Sequence, residues 1–79
     1  MPCQIGITTR PEKRRREWER DVVGLAGWKI LEVHASKQMA QEAEVRLAQR
    51  LGCDAEPGGA DAPGLWSVYH FEYSRKRRG

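Results

Sequence analysis

The feature that most constrains this chain is the change of periodicity at Pro11. Gln4 to Thr8 reads as a short strand and Thr8-Thr9-Arg10 as a turn. Pro11 then fits the first position of a helix, where the N–H that proline lacks would have no intrahelical partner anyway. From there to about Asp21 the sequence is almost all charge. Glu12–Arg16, Lys13–Glu17 and Arg15–Glu19 are spaced for ion pairs four residues apart. Only Trp18 and Val22 give this helix an apolar stripe, so it must lie on a surface with one face wet. A strand that runs straight into such a helix demands a sheet for the stripe to rest on.

The remaining segments supply that sheet. Gly24 and Gly27 break the chain, and Trp28 to His34 favours extended structure through Ile30, Leu31 and Val33. Ser36 is a good N-cap for a second helix, which ends where Gly52 can stand just past its C-terminus. Met39, Ala43, Leu47 and Leu51 form the apolar stripe predicted for it. Asp54 to Gly64 holds five Gly or Pro residues in eleven and reads as a loop. Trp66 to Tyr73 alternates, placing Ser67, Tyr69, Phe71 and Tyr73 on one aromatic face, best suited to building a core. The fold class expected is α+β: a small three-stranded, mainly antiparallel sheet with two helices in the order β-α-β-α-β.

With 79 residues, 39% hydrophobic and 32% charged, the chain suits one small globular domain, expected over residues 1–74. No apolar run is long enough to cross a membrane, and the start lacks a signal-peptide pattern, so the compartment expected is the cytoplasm. The net charge of +3 is misleading. Arg75, Lys76, Arg77 and Arg78 form a terminal basic run, expected as a disordered tail over 75–79; the rest carries ten basic and eleven acidic residues. Affinity for nucleic acid would come from a local patch, from that tail, or from both. Two cysteines, Cys3 and Cys53, are too few for a disulfide scaffold and have no CxxC partner. Free, partly buried thiols are expected, and no zinc site.

Several residues could carry chemistry. Arg14, Arg15 and Arg16 are consecutive and so cannot all point one way. Arg14 lies one turn before Trp18, where packing can hold its stem while the guanidinium grips a phosphate; pairing with Glu17 at i+3 is the structural alternative. Glu44 has Ala40 and Ala48 one turn either side and no basic residue at i±4, which leaves room for a divalent metal or simply for solvent. His34 and His70 stand near strand ends and could act as acid or base. Gly58-Gly59 is not a phosphate-cradling loop, because no strand precedes it and no helix follows.

Taken together, these residues resemble the core of the GIY-YIG nuclease superfamily. Gln4-Ile5-Gly6 followed by Ile7-Thr8-Thr9 resembles the YIG half-motif and its small polar turn. The family's essential arginine comes eight residues after the motif glycine, and Gly6 plus eight is Arg14. Trp18 stands where the family commonly has histidine or another ring. Trp28 to Glu32 resembles the next strand, and Glu44 falls at the place of the family's metal-binding glutamate. The match covers Gln4 to Gly52. It implies phosphodiester cleavage in DNA, with a tyrosine and a water as nucleophile, Arg14 steadying the phosphate, and Glu44 holding Mg²⁺ or Mn²⁺.

The departures from that pattern are specific. Only three residues precede Gln4, so the GIY strand is missing; Gln4 replaces the YIG tyrosine; and the chain contains no asparagine, which the family carries late in the domain. The strand at Trp66 to Tyr73 could fill the missing sheet position, with Tyr69 standing in for the lost tyrosine. Two functions therefore follow from the resemblance. One is a nucleic-acid-binding or interaction module with weak or no nuclease activity, using Arg10, Lys13, Arg14, Arg75, Lys76, Arg77 and Arg78. The other is a metal-dependent endonuclease using Arg14, Glu44 and Tyr69. A third reading is a protein of unrelated function that shares only the architecture. An exposed strand edge beside Gln4 would invite a homodimer or a protein partner.

Overall fold

The structure is a computed structural model that describes residues 2–56 and 61–77. Its elements follow in the order β1 (Cys3–Thr8), α1 (Pro11–Asp21), β2 (Val22–Val23), β3 (Ala26–His34), α2 (Lys37–Leu51), β4 (Asp54–Glu56), β5 (Trp66–Glu72) and β6 (Arg75–Lys76). The main sheet has four strands in the order β3-β5-β1-β4, and β2 pairs with β6 in a separate ribbon. The α+β class holds, while the expected three-stranded sheet gains β4. No helix among the described residues is long and apolar enough to cross a membrane.

The last long strand sits in the middle. β5 runs antiparallel to β1 on one side and to β3 on the other. Most of its residues are buried because both faces of the sheet are covered. On one face Ile5, Ile7, Trp66 and Val68 pack against Ala40 and Ala43 of α2. On the other, Tyr69, Phe71 and Tyr73 pack against Trp18 and Val22, with Leu25 and Trp28 at the margin. The period-two alternation of β5 thus feeds two separate cores.

α1 and α2 begin and end where the sequence indicates. The Ser36 hydroxyl accepts from the Met39 amide at 3.2 Å, and Gly52 takes the left-handed conformation, φ 69°, that closes α2. The buried stripe of α2 is rotated from the one expected. Met39 and Leu51 are exposed, whereas Ala40, Ala43, Glu44 and Ala48 face inward. The large side chains of the sheet fill this layer, so the helix approaches on its alanines.

Three further expectations change. Asp54 to Glu56, read as the start of a loop, pair in parallel with Gln4 to Gly6 and form β4; Gly58-Gly59 lie outside the described residues. β1 is consequently an interior strand, and the edge beside Gln4 is covered. Arg75 and Lys76 are not a free tail, since they form β6 against Val23 and Val22, and the Arg77 amide donates to the Asp21 carbonyl at 2.9 Å.

The β1–β4 register also explains the cysteines. Gln4 lies opposite Asp54, so the preceding residues, Cys3 and Cys53, are neighbours with Cα atoms 4.9 Å apart. They form a disulfide, not the free thiols expected. The sequence could not place them together once β4 was read as loop.

One glycine has a fixed volume role. Gly6 is the cross-strand partner of Tyr69, and a Cβ at position 6 would overlap the Tyr69 hydroxyl and the ring carbon that bears it. The ring cannot swing away freely, because Trp28 stacks on it at 4.7 Å. Alanine in a strand interior is ordinarily more favourable than glycine by roughly 0.5–1 kcal/mol. Here Gly6→Ala is expected to destabilise the protein by about 1–3 kcal/mol through overpacking. Urea denaturation of the two proteins gives the sign directly.

Candidate functional site

Three adjacent strands place Tyr69, Gly6 and Glu56 side by side, and α1 lays Arg14 over that row. The gap left by Gly6 admits the Tyr69 hydroxyl. Trp18 Nε1 donates to that hydroxyl at 2.9 Å and Arg14 Nε does so at 3.4 Å. The other guanidinium nitrogens bind carboxylates: Nη1 donates to Glu17 at 2.9 Å and Nη2 to Glu56 at 3.1 Å. The guanidinium also lies 5.2 Å from the centre of the Trp18 ring.

Two of the sequence relations used for Arg14 are thus realised at once. It stands beside Trp18 and over the Gly6–Tyr69 pair, and it also pairs with Glu17, as the structural alternative required. Burial opposes its charge, but the Glu17 hydrogen bond, Tyr69 and Glu56 outweigh this, so its pKa is raised and it is never neutral. Arg14 in turn holds the Glu17 carboxyl below the usual range. Burial pushes the Tyr69 phenol up, against the pull of Trp18 and Arg14, so it is un-ionised at neutral pH. A neutral phenol already accepting two hydrogen bonds is a poor general base.

Glu44 is not part of this group. It belongs to α2, which covers the opposite face of the sheet, and it is only 3% exposed. Burial raises its pKa to about 7, opposed by a hydrogen bond from the Glu56 amide and aided by the Glu56 charge. Its Oε2 has no hydrogen-bond partner among the described residues. Glu56 touches both sides, its side chain meeting Arg14 and its backbone meeting Glu44. The hypothesis that Tyr69 joins Arg14 and Glu44 is met for Arg14 alone.

This arrangement does not fit a divalent cation at Glu44. A single buried carboxyl is a poor site for a hard ion, which takes several oxygens. Among the described residues, the group of three potential ligands that converges within 4.8 Å is Cys3, Cys53 and His70, which contains no carboxylate.

The other candidates fall into two places. Arg10, Lys13 and Arg16 line a shallow depression at the start of α1 with Pro11 and Glu12, and no ion pair engages these three among the described residues. No side chain caps this helix, so its first amides stay open to an anion. Arg75, Lys76 and Arg77 lie at the other end of α1; Arg78 is outside the described residues. Beside Lys76 and the end of α1 an open cleft of about 530 Å³ is lined by Gln4, Trp18, Asp21, Asp54, Glu56 and Lys76. Gln4 is 2% exposed there, and its Oε1 has no partner.

The histidines are separate from both. His34 Nε2 meets Glu32 at 2.8 Å, and His34 with Arg46 lowers the Glu32 pKa. His70 sits on β5 with its Nδ1 buried and unpartnered; burial and Lys29 lower its pKa, with Glu72 opposing. Glu56 was the residue that sequence reasoning missed. It falls in a stretch with no β-branched or aromatic residue, so nothing there announced a strand.

The chain matches no protein-family model, no curated protein and no solved structure.

Glu44 makes a definite statement about pH. Its pKa is raised on folding, so stability is fully present below the unfolded value near 4.5 and is lost as pH rises through about 7. Glu44→Gln is expected to remove that loss, gaining roughly 2–3 kcal/mol over wild type at pH 8 and little at pH 4. Chemical denaturation of both proteins at several pH values measures the difference.

Proposed function

We propose that this protein binds nucleic acid through the basic start of α1, as a GIY-YIG-like module that has lost cleavage chemistry. The observation that carries this reading is the contrast between two sets of arginines. Arg14, the residue the resemblance makes essential, is committed to Glu17, Glu56 and Tyr69. Arg10, Lys13 and Arg16 share an open surface and form no ion pair within 4.0 Å among the described residues, although Lys13 lends charge to Glu17. Phosphate oxygens suit that surface because lysine and arginine supply the charge and an uncapped helix start supplies amides. Glu12 in the first turn weakens the field without closing it.

Arg75 and Arg77 extend the same reading. α1 has eleven residues, so its ends are about 16 Å apart. Basic groups at both ends can meet separate phosphates of one duplex, which favours DNA backbone over a single bound phosphate. Such contacts position a protein without reading base sequence.

The test is binding of a labelled short DNA duplex across a salt series. Wild type should bind with affinity that falls steeply with salt. The variant Arg10→Ala/Lys13→Ala/Arg16→Ala should bind more weakly and show a log–log salt slope reduced by about 3. A slope equal to that of wild type would remove the assignment.

A second reading, the metal-dependent endonuclease, is favoured by one contact, that of Tyr69 with Arg14. It is tested with supercoiled plasmid and Mg²⁺ or Mn²⁺. No nicking above background is expected. Nicking that Arg14→Ala and Glu44→Ala both abolish would establish the enzyme instead.

A further inference from the structure

On the α2 face of the sheet, where β1, β5 and the start of β4 come together, three soft or borderline ligands meet. Cys3 lies beside Cys53 across the β1–β4 ladder. His70 lies opposite Ile5 across the β1–β5 ladder, which puts it diagonal to Cys3 on the same face. A ring nitrogen of His70 and the two sulfurs all fall within 4.8 Å of one another. All three residues are partly buried, so the group is sheltered but reachable from solvent.

A purely structural disulfide gives no reason for an imidazole against it. The Nδ1 of His70 is buried and makes no hydrogen bond among the described residues, which is unusual for a ring nitrogen. Cys3 and His70 are fixed by the ladder hydrogen bonds of β1 and β5, and the Cys53 amide, just before β4, donates to the Ala48 carbonyl at 3.0 Å, so the group is preorganised. Two thiolates and one imidazole form a donor set that suits Zn²⁺, with one tetrahedral position left for water. Two thiolates also cancel the metal's two charges, which matters because Lys29 adds positive charge beside His70 while Glu72 adds negative.

We propose that Cys3, Cys53 and His70 form a zinc site in the reduced protein, and that the Cys3–Cys53 disulfide is the oxidised, metal-free form of the same site. The interconversion balances simply. A cellular dithiol gives two electrons and two protons to the disulfide and is itself oxidised to a disulfide, leaving two protein thiols. Zn²⁺ then replaces the two thiol protons, which pass to solvent. Sulfurs on one zinc stand about 3.8 Å apart, from bonds of about 2.3 Å at the tetrahedral angle. Rotation about χ1 of Cys3 and Cys53 provides that separation once the bond is cut. The metal and the disulfide therefore exclude each other, and zinc binding reports the thiol state.

The experiment uses the full chain, oxidised or treated with a phosphine reductant, with Zn²⁺ and Co²⁺ alone as probes. Reduced wild type should bind one zinc per chain by native mass spectrometry and melt at a higher temperature with zinc than without. Oxidised wild type should bind none. Co²⁺ should give a tetrahedral visible spectrum with thiolate charge transfer. Zinc should shift the ring signals of His70 in NMR spectra and leave those of His34 in place. His70→Ala should bind zinc at least about tenfold more weakly. Absence of zinc binding by reduced wild type, unchanged binding by Cys53→Ser, or a shift of His34 in place of His70 would overturn the proposal. The His70 signals are read on wild type, so the answer stands even if a variant fails to fold.

Discussion

The Tyr69 hydroxyl occupies the space that a side chain at position 6 would need, and the α1 face is organised around that exchange. With the hydroxyl there, Trp18 and Arg14 have a buried acceptor to aim at. With Trp18 and Arg14 aimed at it, α1 is fixed in rotation as well as in distance. Trp28 stacking on the other side of the ring closes the group. A buried phenol left without partners would cost about 1–3 kcal/mol, a large share of the stability of so small a domain. The aromatic layer is therefore held by directional bonds as well as by apolar burial.

That same group shows why spacing alone is an incomplete guide to function. Arg14 stands over the Gly6–Tyr69 pair and beside the Trp18 ring. A phosphate gripped there would approach a guanidinium already flanked by two carboxylates. Each of those ion pairs is part-exposed and contributes little by itself. Their joint effect is on the donors: Glu17, Glu56 and Tyr69 already take all three guanidinium nitrogens, and a phosphate would have to displace one of them. Arg10, Lys13 and Arg16 occupy less telling positions in the sequence but keep their charge available.

What could be read from the sequence followed from local physics. Pro11, Ser36 and Gly52 mark helix ends through rules that involve a few neighbouring residues, and the alternation of Trp66 to Tyr73 reports two buried faces. β4 escaped because its three residues are extended by pairing with β1, not by their own preference. The disulfide escaped with it, since Cys53 finds Cys3 only through that register. Glu56 escaped for the same reason, and with it the partner that neutralises Arg14. Each omission traces to one non-local parallel pairing.

Glu44 illustrates the converse, a correct observation with a different physical meaning. Its small neighbours Ala40 and Ala48 do leave room around the carboxyl, and it has no basic partner on its helix. Such a setting is open only if the helix face is open. On α2 the alanines are what allow the helix to press against Ile5, Ile7 and Val68, so the residue between them is carried into the interior. The carboxyl then meets a backbone amide in place of a cation, and burial makes the proton its most accessible partner. Small residues one turn either side of a glutamate thus mark a packed helix face first, and a metal site only where further oxygen ligands converge on the same point.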